Sequence, residues 1–389
     1  VLISGLVPDV AGVYIPEMTR STGRKPSSTR KRSPKTHMAA PSVLVLYNAP
    51  VLPQDHPEAG SEYDVLDTVN DTVKVLKAAG FAVRKLGIDY HPQPLLDELK
   101  QHRPDVVFNL FEGIATQTAT EVSVAALLEW LNVPFTGCPS LALALGRDKI
   151  RTKHLLSRGG IPTPHYLVLD EPGAVKWDSG WPAIVKPAQQ DASVGIDQGS
   201  VVTSQTELDA RVRYVFEKYG GPVLVEQFLS GREFHVNVIE EGLDRRLRVL
   251  PLAEIAFRDD VPGLWPVYTF TAKWDMESAE YKASPLVAPV HLPSDQTEAM
   301  GDIAQRAFRL LLCRDYARLD IRMSPEGGFH VLEVNPNPYL NSLALVKGLE
   351  AIGRTHEEFL VELTRNVIAR HGGTIPPGVI KIPVGVITS

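Results

Sequence analysis

Apolar and polar positions change period several times along this 389-residue chain. Ser42–Tyr47 is a short continuous apolar run, the pattern of a strand buried on both faces. Val65, Leu66, Val69, Val73, Leu76 and Ala79 then recur with helical spacing, and Gly80 supplies a helix stop. Phe81–Leu86 and Asp105–Leu110 repeat the strand pattern, while Pro94–His102 and Glu121–Leu131 repeat the helical one. Val133–Thr136 leads into a tight turn at Gly137. This β-α-β-α-β-α alternation predicts a parallel α/β domain over residues 41–138.

Beyond it the pattern becomes mixed. Arg147–Arg158 reads as one helix closed by Gly159 and Gly160. Ile184–Lys186 is a strand running into a small-residue loop that ends Ser193-Val194-Gly195. Val223–Phe228 is apolar, and Gly231–Ile239 alternates Phe234, Val236 and Val238 with Glu233, His235 and Asn237. Residues 243–274 predict further strands interrupted by prolines, the pair Ala272-Lys273 included. A helix over Thr297–Leu312 precedes a hairpin, and helices over Ala344–Ile352 and His356–Arg370 follow it. Thr374–Ser389 reads as a loose tail or an added edge strand.

That hairpin, Tyr316 to Asn341, carries the densest chemistry. Arg318, Asp320 and Arg322 alternate with apolar neighbours before a Pro-Glu-Gly-Gly turn; after it, Glu333 and Asn335 share one parity and Leu332 and Val334 the other. Pairing Ser324 with Phe329 sets Asp320 opposite Glu333 and Arg318 opposite Asn335, so all four share a face. Two clustered carboxylates repel unless a cation or shared proton lies between them. Hard oxygen donors of this kind suit magnesium bridging to phosphate. An ordinary hairpin with a salt-bridged polar face is the competing reading.

Composition narrows the class. Apolar residues make up 44% and charged residues 22%, which predicts a globular chain, and no apolar run reaches the roughly 20 residues that span a bilayer. Residues 1–37 hold seven of the 40 Lys and Arg and two of the 46 acids, so the rest of the chain is net −11. An acidic body with a short basic arm is unlike a nucleic-acid-binding domain. The arm is rich in Ser, Thr and Pro, a disorder-favouring composition, and Met38 stands directly before the first strand. Residues 1–40 are therefore read as a disordered upstream extension or the product of an incorrectly assigned start. Cys138 and Cys313 have no metal-like spacing and suggest no disulfide framework, which makes a reducing cytoplasm the simplest setting.

Neither G-x-G-x-x-G after the first strand nor G-x-x-x-x-G-K-[ST] anywhere is present, so dinucleotide and P-loop readings lose their main support. Lys149 and Lys153 share a helical face at i, i+4, for which a solvated basic edge is the plain reading. Lys186 leaves a strand beside the Ser/Gly loop, a placement from which it can neutralise phosphate oxygens. Glu112 follows the third strand, where ligands of parallel sheets gather, and equally suits a helix cap.

Taken in order, the DK-containing helix, IVKP with its Ser-Val-Gly loop, VEQFLSGREF, AKW and ARLDIRM…LEVNPNP resemble the ATP-grasp superfamily, and within it the D-alanine–D-alanine ligases. The resemblance covers about residues 42–370. It implies the α/β domain at 41–138, ATP-grasp lobes at 139–221 and 222–370 holding ATP between antiparallel sheets, and a tail at 371–389. By matching position, Lys149 and Lys186 resemble the lysines on the nucleotide phosphates. Glu226, Gln227, Phe228 and Leu229 resemble the hinge that receives adenine, and Glu233 the acid on the ribose hydroxyls. Ser193 resembles the residue in the loop over the phosphates, and Lys273 a further phosphate ligand. Asp320, Glu333 and Asn335 match the ligands of magnesium (or manganese), and Arg318 the arginine beside the transferred phosphoryl group. The implied reaction joins a small-molecule carboxylate and an amine through an acyl phosphate. Dimers are common among similar ligases, so a homodimer is the assembly suggested.

The substrate end departs from that family. Phe111-Glu112-Gly113 stands where a His-Gly pair is usual, and Pro338-Tyr339-Leu340-Asn341 where a Pro-Gly-Met-Thr-like run is usual. Losing that glycine removes a close backbone approach, so Glu112 and Asn341 become candidate substrate contacts and D-alanine is not fixed as the substrate. An authentic D-alanine–D-alanine ligase and a non-catalytic ATP-binding protein remain the alternatives.

Overall fold

The computed structural model describes residues 39–374 apart from 53–58, 115–116, 174–175, 191–192 and 259–260. The expectations for the basic arm and for residues 375–389 lie outside the described residues.

The first elements are β1 (Ser42–Asn48), α1 (Ala59–Ala79), β2 (Ala82–Ile88), α2 (Gln93–Gln101), β3 (Val106–Leu110) and α3 (Thr120–Trp130). The strands form a parallel sheet in the order β2-β1-β3. Helix α1 begins six residues before the apolar period that signalled it. Within Val133–Thr136, ahead of the turn at Gly137, Phe135 makes an isolated bridge to Val107. Alternate β1 residues enter two cores, Leu44 and Leu46 on one side and Val43 and Val45 on the other, as period-two side chains must.

The chain continues through α4 (Ser140–Arg147), α5 (Lys149–Arg158), β4 (Tyr166–Leu169), β5 (Ala183–Pro187), β6 (Val201–Val202), α6 (Gln205–Tyr219) and β7 (Val223–Gln227). The single helix expected at 147–158 is two, because Asp148 leaves the helical conformation and accepts from the Arg151 amide as N-cap. Helix α4 packs so closely on the C-terminal strand that ends at Pro336 that a Cβ at Gly146 would lie 2.4 Å from the Pro336 ring. The four-stranded antiparallel sheet runs β4-β7-β5-β6. Because β7 is hydrogen-bonded to both β4 and β5, the division expected at 221/222 cuts through this sheet.

The remainder comprises β8 (Glu233–Glu241), β9 (Arg246–Val249), β10 (Leu252–Ile255), α7 (Phe270–Trp274), α8 (Ala279–Ala283), β11 (Leu286–Val290), α9 (Ser294–Leu310), β12 (Tyr316–Met323), β13 (Phe329–Pro336), α10 (Leu343–Ala351) and α11 (His356–Arg370). Antiparallel pairing gives β11-β10-β8-β12-β13, with β9 beside β8. Ala272 and Lys273, expected on a strand, belong to α7, which Thr269 caps by accepting from the Ala272 amide. Helix α11 returns to the first domain: Phe359, Leu360 and Val367 share a core with Val43, Val45 and Phe108.

Asp315 ties these parts together. Its buried carboxylate accepts from the Gly137 amide at 2.7 Å and forms a two-point ion pair with Arg370. Asp315→Ala would strand that guanidinium, and breaking a buried pair costs about 3–5 kcal/mol. The expected outcome is a midpoint shift of that size in chemical denaturation; a change below about 1 kcal/mol would show the pair to be dispensable.

Candidate active site

Three adjacent strands build a polar floor. On β8, Glu233, His235 and Asn237 stand opposite Arg322, Asp320 and Arg318 of β12, and beyond β12 Glu333 and Asn335 stand opposite Asp320 and Arg318. Period-two alternation sends Phe234, Val236, Val238, Leu319 and Ile321 into the core beneath.

The expected cross-strand pairs therefore form, but not through the expected turn. Met323, not Ser324, pairs with Phe329, and a bulge between Ile321 and Asp320 on one strand and Val331 and Glu333 on the other takes up Leu332. The bulge places one extra residue on β13 and restores the register that the turn shifts. It also corrects the face of Leu332, which lines the cleft instead of joining Val334 in the core.

The floor, together with Ile184, Lys186 and the Glu226–Leu229 run at the end of β7, borders a cleft of about 1140 Å³ including its open mouth. Lys149, Ser193, Glu233, Lys273, Arg318, Asp320, Glu333 and Asn335 all line it. Glu112 and Asn341 do not: Glu112 is exposed after β3, its amide donating to Asn48 Oδ1 at 3.3 Å, and Asn341 is half-buried before α10. The structure thus gathers every expected nucleotide and metal residue into one cleft and leaves the two expected substrate residues outside its lining.

Arg318 grips Asp320 with a fork, Nε to Oδ1 at 2.7 Å and Nη2 to Oδ2 at 3.0 Å, and Asn335 Nδ2 donates to Oδ2 at 3.2 Å. Burial alone would raise the Asp320 carboxyl, but Arg318 outweighs it and holds the group below its usual range. Glu233 behaves oppositely: burial dominates and raises it although Arg322 Nη1 donates to its Oε2 at 2.7 Å. His235 lies 3.8 Å from Asp320, and burial, reinforced by Arg318 and Lys273, holds its imidazole well below the usual value. Lys149 Nζ donates to the Gln190 carbonyl at 2.7 Å and stands 3.9 Å from Glu333. Glu226 is 1% exposed and ion-paired with both Lys153 and Lys186. Burial would raise this carboxyl as well; the two ammonium groups reverse the sign.

Two segments, 193–198 and 265–270, are tied to each other beside the cleft. Ser193, at φ +64°, donates from Oγ to the Tyr268 carbonyl at 3.0 Å. The Phe270 amide reaches the Ile196 carbonyl at 3.1 Å, and Gln198 accepts from the Trp265 amide at 2.7 Å. At the hinge, the Gln227 and Phe228 amides are committed to the His165 and Pro182 carbonyls. Among the described residues no group of three His, Cys, Asp or Glu side chains forms a metal cage. Two carboxylates and an amide lining the cleft instead fit magnesium, which keeps water and phosphate oxygens in its shell.

Sequence reasoning overlooked four lining or supporting residues. Lys153 signalled itself only by its spacing from Lys149, and Arg322 by its parity with Arg318. His235 lies on the polar parity of β8. Tyr268, whose phenol burial raises above its usual value, had no sequence signal.

Comparisons with known proteins bear on the family and the fold. Residues 155–364, more than half of the chain, match the family described as D-ala D-ala ligase C-terminus. A D-alanine–D-alanine ligase of Desulforudis audaxviator is 34% identical over 250 residues, 62% of this chain and 76% of the relative. Its counterpart in Haemophilus influenzae is 28% identical over 299 residues, 74% of this chain and 93% of the relative. The fold matches that of a Bacillus anthracis D-alanine–D-alanine ligase complexed with ATP, with TM-score 0.65 and 20% identity over 85% of this chain and 99% of that one.

Proposed function

This chain belongs to the D-alanine–D-alanine ligase family of ATP-grasp carbon–nitrogen ligases, which use ATP and magnesium, and from that premise we propose that it activates an amino-acid or peptide-like carboxylate for attack by an amine. The observation that carries the reading is the Arg318–Asp320 fork, set in one cleft with Lys149 and Glu333 and with the Glu226–Leu229 hinge, to whose Glu226 Lys186 is paired. A protein that only bound a nucleotide would have no use for a buried guanidinium beyond the phosphate cations.

In this reading the hinge receives adenine through Leu229, the Gln227 carbonyl and the Glu226 carboxylate, packed between Ile184, Phe228 and Leu332. Glu233, steered by Arg322, meets the ribose. Lys149, Lys186 and Lys273 neutralise phosphate oxygens, and the Ser193 loop covers them. Asp320, Glu333 and Asn335 would hold magnesium, which when bound draws negative charge from the phosphates. Bringing a carboxylate to a triphosphate joins repelling anions, so these cations must be in place within a dry cleft. The substrate carboxylate takes the terminal phosphoryl group, releasing ADP; the amine then attacks the acyl phosphate and phosphate leaves. Arg318 faces both steps, first the transferred phosphoryl and then the tetrahedral oxyanion.

A second reading, authentic D-alanine–D-alanine synthesis, is favoured by the names of the relatives; Pro338-Tyr339-Leu340-Asn341 favours a different acid or amine. Glu112, in the first domain after β3, and Asn341, before α10, remain candidate substrate contacts. We place the enzyme in the cytoplasm, where the free, buried Cys138 and Cys313 suit a reducing compartment, with small-molecule substrates, no nucleic-acid partner and a homodimer as the assembly. No helix among the described residues is long and apolar enough to cross a membrane.

The test is ADP release over a panel of L- and D-amino acids and dipeptides, D-alanine included. At least one acid–amine pair is expected to raise release by tenfold or more over ATP alone. Tight ATP binding with no stimulation by any pair would turn the reading to a nucleotide-binding protein without ligase chemistry.

A further inference from the structure

Lys149 and Lys153 leave one face of α5, yet only Lys149 lines the cleft. Lys153 is 1% exposed, one of the largest wholly buried side chains described. A buried ammonium persists only where its three donors find acceptors, and here they do. Nζ is ion-paired with Glu226 on β7, donates to Thr163 Oγ1 at 3.0 Å and lies 3.4 Å from the Leu332 carbonyl on β13. Burial lowers the ammonium's proton affinity, and Glu226 opposes that.

The last two partners explain how β13 keeps its irregularity. Strand β13 is the edge of its sheet, and the bulge also interrupts its ladder to β12, so backbone groups here lack strand partners. Around Leu332 those groups turn to the connection between α5 and β4. The Val331 amide donates to the Pro162 carbonyl at 2.8 Å, Thr163 Oγ1 donates to the Val331 carbonyl at 2.8 Å, and Lys153 takes the Leu332 carbonyl. One ammonium therefore touches the strand of the purine hinge and the bulge that presents Leu332 and Glu333 to the cleft.

We propose that Lys153 is a positioning residue which, by holding the Glu226 carboxylate and the Leu332 carbonyl together, sets the hinge against the metal-bearing strand and so selects the purine end of the nucleotide. This rests on the ligase reading only for the identity of the nucleotide. Lys153 does not line the cleft; Lys186, paired to the other oxygen of Glu226, does.

The test is direct binding of magnesium-ATP and of magnesium-tripolyphosphate by calorimetry on the full chain. Lys153→Met is expected to weaken ATP by about tenfold or more and to leave tripolyphosphate within about twofold. Equal losses for both probes would make Lys153 a phosphate ligand, and unchanged ATP affinity would remove its role; either overturns the proposal. If Lys153→Met does not fold, Lys153→Met/Glu226→Gln is compared with Glu226→Gln alone. Equal ATP affinities are expected, because Lys153 acts through Glu226, and a further tenfold loss overturns the idea. Failure of the wild-type chain to bind ATP would instead sink the ligase reading itself.

Discussion

Glu333→Gln is expected to lower magnesium-dependent ADP release by about a hundred- to a thousandfold, the loss typical when one pre-organised charge-stabilising group is removed. The substitution preserves shape and takes away one negative charge. Glu333 is the more open of the two facing carboxylates, with its side chain 34% exposed against 9% for Asp320, so the fold does not depend on it. Its partners, Lys149 at 3.9 Å and Asp320 across the strand, both remain. The deficit should therefore fall on the metal: the magnesium concentration for half-maximal turnover rises, while thermal stability stays near the wild-type value. Near-normal turnover at low magnesium would show that the floor does not hold the cation as assigned.

Arg318→Met is expected to cost more, about 10³- to 10⁵-fold in turnover, the range known for an arginine that meets charge developing in phosphoryl transfer. Two effects combine. The guanidinium that faces the transferred group is lost, and Asp320 loses the fork that orients it. Asp320 also loses the charge that outweighs its burial, so this variant should be less stable as well as less active. Its signature differs from that of Glu333→Gln. Removing a cation beside the carboxylates cannot weaken magnesium electrostatically, so the magnesium requirement should stay constant or fall while kcat collapses. ATP affinity that falls in parallel with kcat would instead make Arg318 a ground-state nucleotide ligand.

Part of this arrangement is legible in the chain itself. Parity groups Arg318 with Asp320 and Glu333 with Asn335, since residues two apart in a strand must share a face; bringing the two pairs together depends on the register. The same rule brings Glu233 to the floor. Helical and strand periods locate most elements to within a few residues. They fail at Asp148, where a cap divides one expected helix into two, and at Ala272-Lys273, where Thr269 caps a helix too short to have an apolar period.

What the sequence determines by itself is thus the local alphabet: which side chains are polar, which face of each strand they take, and the order of motifs that resembles one ligase family. Only the tertiary structure decides how those faces meet. The turn at Ser324 and the bulge at Leu332 shift the register in opposite directions, and no local signal reveals a compensation settled by hydrogen bonds to Pro162 and Thr163. Lys153 makes the same point more strongly. A lysine four residues from another reads as a solvated edge, because its stem can always reach water. It becomes a buried cation only when β7, β13 and the connection after α5, far apart in the chain, converge to give its three donors three oxygens.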